Sequence, residues 1–193
     1  VSLAHGFPRQ WLQRSGKPVL TVYFPPPDNG LNIIHVDNEI IVVDNASTDG
    51  SGELARAIPG VRVVREPARG LVLAREAARV ASRGDVLAYV DADCRPPITW
   101  LAQVEQRFVQ REAVVAVTGP YRFYDWDLFG RLLLRAYDVL VAPPTHWLVH
   151  HGLGIGAILY GGNFAVRREA LSRIGGFDRR IEFHGEDTNL GRR

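Results

Sequence analysis

The chain has 193 residues, 46% of them hydrophobic and 23% charged, a balance that permits one domain with a sizeable core and excludes a disordered chain. Its 23 basic and 21 acidic residues leave a net charge of +2, too even for a nucleic-acid binder, and the single cysteine, Cys94, excludes an intramolecular disulfide. No apolar run approaches the roughly 20 residues of a membrane span, and residues 1–8 lack the basic start and apolar run of a signal peptide. The expectation is cytoplasmic chemistry, with any peripheral membrane association resting on regions outside this chain.

Residues 1–38 form an atypical amino-terminal segment, broken by Pro8, Pro18 and the triplet Pro25, Pro26, Pro27; one short strand is expected at Val19 to Phe24. Ile40 to Val43 is a continuous β-branched run ending in Asp44, as in a strand buried on both faces. The turn residues Asn45 to Gly52 follow, then a short helix from Glu53 to Ile58. The unit recurs: Val61 to Val64 as strand, Gly70 to Ser82 as alanine-rich helix, Val86 to Val90 as strand. Ile98, Leu101 and Phe108 give a helical stripe, Val114 to Thr118 a further strand.

This alternation predicts a layered α/β domain with a mostly parallel central sheet flanked by helices, whose ligands sit at the carboxyl ends of the strands. Beyond Gly119, the aromatics Tyr121, Phe123, Tyr124, Trp126 and Phe129 suit an acceptor-side region, and Pro143 and Pro144 are expected to interrupt the helix-like run after them. Gly161 and Gly162 lead into a short amphipathic segment through Leu171. The chain stops at Arg193 as a new helix begins, so a single domain spanning 1–193 is expected, truncated at its carboxyl end.

Chemistry concentrates where strands end. Asp91-Ala92-Asp93 follows the Val86 to Val90 strand, and carboxylates two apart at a strand end enter one crevice. Hard oxygen ligands suit Mg²⁺ or Mn²⁺ on a diphosphate; a solvated, helix-capping turn fits the bare pattern equally well. Asp44 ends the neighbouring run, and Asp44 or Asn45 can hydrogen-bond a base or ribose, whereas Asp49 suits a turn-organising role. Arg69, before the alanine-rich helix, suits a phosphate or an ordinary surface. Arg75 is left as a surface residue within reach of Glu66. Glu186 and Asp187 can supply a general base or cap the final helix. His146, His150 and His151 make no metal pattern, and His184 is a loop histidine.

Taken in order, Ile41-Val42-Val43-Asp44-Asn45-Ala46-Ser47-Thr48-Asp49-Gly50, Asp91-Ala92-Asp93, Gly161-Gly162-Asn163-Phe164 and Gly185-Glu186-Asp187 resemble family 2 glycosyltransferases of the GT-A fold, over roughly residues 39 to 193. The resemblance implies inverting transfer from a nucleoside diphosphate sugar to a carbohydrate, lipid-linked or small-molecule acceptor, an activity of the EC 2.4 class dependent on Mn²⁺ or Mg²⁺. It implies nucleotide binding by Asp44, contact with the ribose or base side by Asp91, metal binding by Asp93 and general-base catalysis by Asp187. The residues' own reading adds Asn45 and Arg69 as donor-binding candidates and Gly162, Asn163 and Glu186 in acceptor or supporting roles. The chain departs from the family in its short interval from Tyr23-Phe24-Pro25 to Ile40, and in Ala68-Arg69-Gly70, where an Asn-x-Gly segment is usual. A non-catalytic nucleotide-sugar-binding or interaction domain on the same scaffold is the alternative. A phosphotransferase using Asp91 as nucleophile fits less well, because Cys94 follows the pair.

Overall fold

The computed structural model describes residues 19–24, 38–91, 94, 96–123, 125–154, 156–181 and 185–193, with 19–24 described through their backbone pairing. Six strands, β1 (Val19–Phe24), β2 (Ile40–Asn45), β3 (Val61–Glu66), β4 (Val86–Asp91), β5 (Ala116–Thr118) and β6 (Asn163–Arg167), form one sheet in the order β3-β2-β1-β4-β6-β5. The α/β layering agrees with expectation, but the sheet is parallel only in part. β2 and β3 pair in parallel, whereas β1 runs antiparallel to both β2 and β4, and β6 antiparallel to both β4 and β5. Thus β2, β3, β4 and β5 share a direction, yet only one hydrogen-bonded pair is parallel. A parallel β1 would need a crossover to β2, usually a helix, and the intervening sequence is rich in proline.

The apolar runs place the sheet at the centre. Ile41 and Val43 of β2 and Leu87 and Tyr89 of β4 face one layer, while Val42, Val86 and Ala88 face the other, and all are buried. The first layer contains α2 (Leu71–Ala81), α6 (Arg168–Arg173) and α7 (Glu186–Arg192), which contribute Val72, Ala74, Ala78, Leu171 and Leu190. The second contains α1 (Ser51–Arg56) and α3 (Trp100–Gln110), through Ala55, Val104 and Phe108. Tyr89 stacks on Phe164 with ring centres 4.8 Å apart and meets Phe177 edge-on at 5.5 Å. The expected stripe residue Ile98 is exposed, because α3 begins only at Trp100. β6 is a strand that the glycine-led sequence disguised: Phe164, Ala165 and Val166 are buried against β4 and β5.

Between β5 and β6 runs a helical arm: α4 (Leu128–Ala136), a π-helical turn (Tyr137–Val141), α5 (Ala142–Trp147) and a second π-helical turn (Leu148–Gly152). Asp127 caps its start, accepting from the Gly130 N–H at 2.8 Å. Pro143 and Pro144 do not interrupt the run, contrary to expectation. They fall in the first turn of α5, directly after a π-helical turn has shifted the hydrogen-bond ladder, so their missing N–H groups break no regular α-helical register. None of residues 128–152 is buried.

Candidate functional site

The carboxyl end of β2 builds one wall. Asp44 is buried, and its Oδ1 accepts from the Ser47 N–H at 3.1 Å while Arg56 Nη2 of α1 lies 3.9 Å from Oδ2. Gly52 passes directly beneath the carboxylate, where any Cβ would collide with it. Asn45 reaches across to the loop before α2: its Nδ2 donates to Ala68 O at 2.5 Å, and its Oδ1 accepts from the Gly70 N–H at 2.8 Å. Arg69 is exposed on that same loop. Asp49 accepts from the Ser51 N–H at 3.1 Å and so organises the turn into α1.

The carboxyl end of β4 builds the other wall. Val19 of β1 is in register with both Val43 and Asp91, so the ends of β2 and β4 flank the start of β1, about 10 Å apart at two interstrand spacings. Asp91 faces the turn before β6. Its N–H donates to Gly162 O at 3.3 Å, and a Cβ on Gly162 would lie 2.5 Å from Asp91 Oδ2 and 2.6 Å from the Tyr121 hydroxyl oxygen. The Gly162 N–H donates to that hydroxyl at 2.5 Å. Burial, reinforced by the nearby Asp91 carboxylate and only partly opposed by the Gly162 N–H, pushes the Tyr121 phenol up to about 12.

The adjoining Gly161 brings in the last helix. The position a Cβ would take there lies 3.2 Å from Asp187 Oδ2, 3.4 Å from Glu186 Oε1 and 3.4 Å from Arg75 Nη2. Arg75 is not the surface residue expected from sequence. It is 1% exposed, Nη1 donates to Glu186 Oε1 at 2.6 Å, Nη2 donates to Gly161 O, and Nη2 lies 3.8 Å from Asp91 Oδ1. Its guanidinium also sits 5.4 Å from the centre of the Phe164 ring. The readable clue was position: Arg75 stands among Val72, Ala74 and Ala78 on the buried stripe of α2, where a charge demands a partner. Tyr121 carried no such clue.

Asp91, Glu186 and Asp187 therefore meet around Gly161 and Gly162, with Arg75 as the nearby cation. Asp44 and Asn45 stand at the same sheet edge. Asn163 is tied into the scaffold: its side-chain oxygen accepts from Trp100 Nε1 at 2.9 Å, and its carbonyl accepts from the Thr118 hydroxyl at 2.9 Å. Asp93 and His184 lie outside the described residues. Among the described residues there is no group of three or more His, Cys, Asp or Glu arranged to hold a metal, and no helix long and apolar enough to cross a membrane.

Residues 31–175 match the family model described as Glycosyl transferase family 2. Polypeptide N-acetylgalactosaminyltransferase 12 of Mus musculus is 35% identical over 172 residues, covering 78% of this chain and 30% of that protein. A probable glycosyltransferase of Bacillus subtilis, YdaM, is 26% identical over 163 residues, covering 79% of this chain and 38% of that protein. Among solved structures, the mannosyltransferase PcManGT from Pyrobaculum calidifontis, in complex with GDP-Man and Mn²⁺, superposes with a TM-score of 0.60 at 28% identity, covering 79% of this chain and 41% of that one. The chain thus spans less than half the length of these relatives. With α/β layers, acids gathered at the strand ends and a family match over most of its length, the chain belongs to glycosyl transferase family 2.

Proposed function

We propose that this chain is a single-domain catalytic core that transfers a sugar, with inversion and with help from a divalent cation, from a nucleoside diphosphate sugar to an acceptor hydroxyl. The observation that carries this reading is the meeting of Asp91, Glu186 and Asp187 on the Gly161–Gly162 turn, at the sheet edge that also presents Asp44 and Asn45. The GDP-Man and Mn²⁺ held by the Pyrobaculum enzyme are consistent with it.

In this reading Asp44 and Asn45 orient the base and ribose, Asp91 holds the ribose side, and Arg69 approaches the diphosphate from its exposed loop. Asp187 takes the proton of the acceptor hydroxyl as that oxygen attacks the anomeric carbon, and the bond to the diphosphate breaks on the opposite face. Such a base contributes roughly 10² to 10⁴-fold. Asp91, at the carboxyl end of β4, and Asp93, two positions on in the sequence, offer the hard carboxylate oxygens that Mn²⁺ or Mg²⁺ prefers. Asp93 would hold the ion, which supplies positive charge against the departing diphosphate. Gly162 and Asn163 shape the floor, Glu186 steadies the base, and the arm between β5 and β6 meets a carbohydrate, lipid-linked or small-molecule acceptor.

The test is a thermal-shift screen of nucleoside diphosphate sugars with and without Mn²⁺, followed by turnover of whichever donor stabilises the native state. Asp187→Asn should leave donor binding intact and remove transfer. Full transfer by that variant would refute the base assignment, and binding without turnover by the parent would favour a non-catalytic binding domain.

A further inference from the structure

The Arg75 side chain stands out as a buried group to which the proposed mechanism gives no task. Its carbon stem belongs to the core stripe of α2, yet its guanidinium touches three separate pieces of chain: Glu186 at the start of α7, Gly161 in the turn before β6, and Asp91 at the end of β4. Its Nε meets no hydrogen-bond partner among the described residues. Burying a charge this deeply carries a desolvation cost that well-packed apolar side chains avoid, so a tie made only for stability has a cheaper solution. What an apolar residue lacks is direction. A planar fork sends donors along fixed lines to different acceptors, and a lysine, with one charged point, cannot reproduce that spread.

The three contacts have a common geometric effect. Glu186 immediately precedes Asp187, so anchoring its carboxylate fixes where α7 begins and where the next side chain stands. Gly161 O fixes the turn against which Asp187 Oδ2 rests, and Asp91 marks the donor side. We infer that Arg75 is the positioning residue of the site: by clamping Glu186, Gly161 and Asp91 together it sets the distance between the Asp187 carboxylate and the bound donor. This rests on the reading of Asp187 as general base. Arg75 touches no reacting atom in this scheme and acts through Asp187. Its loss should therefore appear in turnover and not in donor affinity, since misplacement of a catalytic group by about 1 Å can cost on the order of 10²-fold.

The experiment compares the parent, Arg75→Met, Arg75→Lys, Asp187→Asn and the double variant Arg75→Met/Asp187→Asn in the full chain. The probes are UDP-glucose, GDP-mannose and UDP-N-acetylglucosamine with Mn²⁺, read by calorimetric binding and by release of nucleoside diphosphate. The expected result is donor affinity within about threefold of the parent for both Arg75 variants, with kcat lowered about 10²-fold. The double variant should be no slower than Asp187→Asn alone, because both changes remove the same step. Should Arg75→Met fail to fold, Arg75→Lys carries the test, and full turnover by folded Arg75→Lys would overturn the clamp. Turnover losses that multiply in the double variant, or donor affinity falling as far as kcat, would reduce Arg75 to a structural role and overturn it too. Asp187→Asn keeps the two ideas apart: an active Asp187→Asn sinks the base assignment and the clamp with it. An inactive Asp187→Asn beside an active Arg75→Met sinks the clamp alone.

Discussion

Arg75 Nη1 and Glu186 Oε1 meet at 2.6 Å although 111 positions separate them in the chain, and their side chains are only 2% and 7% exposed. Removing one member of so dry a pair leaves the other charge uncompensated. Glu186→Ala is therefore expected to lose on the order of 3 kcal/mol of stability, seen as a lower urea midpoint with an unchanged slope. An unaltered midpoint would mean that Asp91, 3.8 Å away, suffices to hold the arginine.

Two glycines should respond to alanine in opposite ways. At Gly162 the new methyl would meet Asp91 Oδ2 at 2.5 Å and the Tyr121 oxygen at 2.6 Å, so Gly162→Ala must displace both and should weaken donor binding. At Gly50 no atom lies within 4 Å, but φ is +81°, in the left-handed region; Gly50→Ala should cost about 1–2 kcal/mol of stability and leave affinity alone. Calorimetry on folded protein separates the cases, and an unchanged affinity in Gly162→Ala would count against the close packing described here.

Glu76 links α2 to the turn at Phe177. Burial by itself pushes its carboxyl up, but the hydrogen bond and charge of Arg79, with the Phe177 N–H, outweigh burial and hold it below its ordinary 4.5. A carboxyl depressed in the native state binds protons more readily when unfolded. Its contribution is therefore complete above pH 4.5 and is lost as pH falls through the lower native value. Thermal midpoints should drop on acidification in the parent, and the drop should be smaller in Glu76→Gln. Parallel curves for the two proteins would contradict this linkage.

The Tyr121 phenol, pushed up to about 12 by burial, stays protonated through neutral and mildly alkaline pH. It serves there as a fixed acceptor for the Gly162 N–H. An alkaline fall in activity below roughly pH 10, the ordinary tyrosine value, should persist in Tyr121→Phe. Disappearance of that limb would assign the titration to Tyr121 after all.

Much of the scaffold was readable because β2 and β4 are unbroken runs of buried side chains, and because α2 is rich in alanine and bounded by Gly70 and Ser82. β6 was not, since five residues beside two glycines carry too little periodicity to separate strand from helix. The direction of β1 was also hidden, because pairing partners are chosen by tertiary packing and not by local sequence. The acids at strand ends could be named from their motif, but the pairing of Arg75 with Glu186 could not. The spacing of α2 puts Arg75 on the buried stripe, but no local pattern names its partner, because Glu186 stands 111 positions away.

The helical arm has an evolutionary consequence. Marginal stability constrains most substitutions through buried contacts, and residues 128–152 contain no buried side chain. This arm can therefore drift, lengthen or change its chemistry with little penalty to the sheet and its helices, while the buried Arg75 contacts stay under packing constraint. On the proposed reading, in which the arm meets the acceptor, a lineage carrying this chain could exchange one acceptor for another by rewriting residues 128–152 alone.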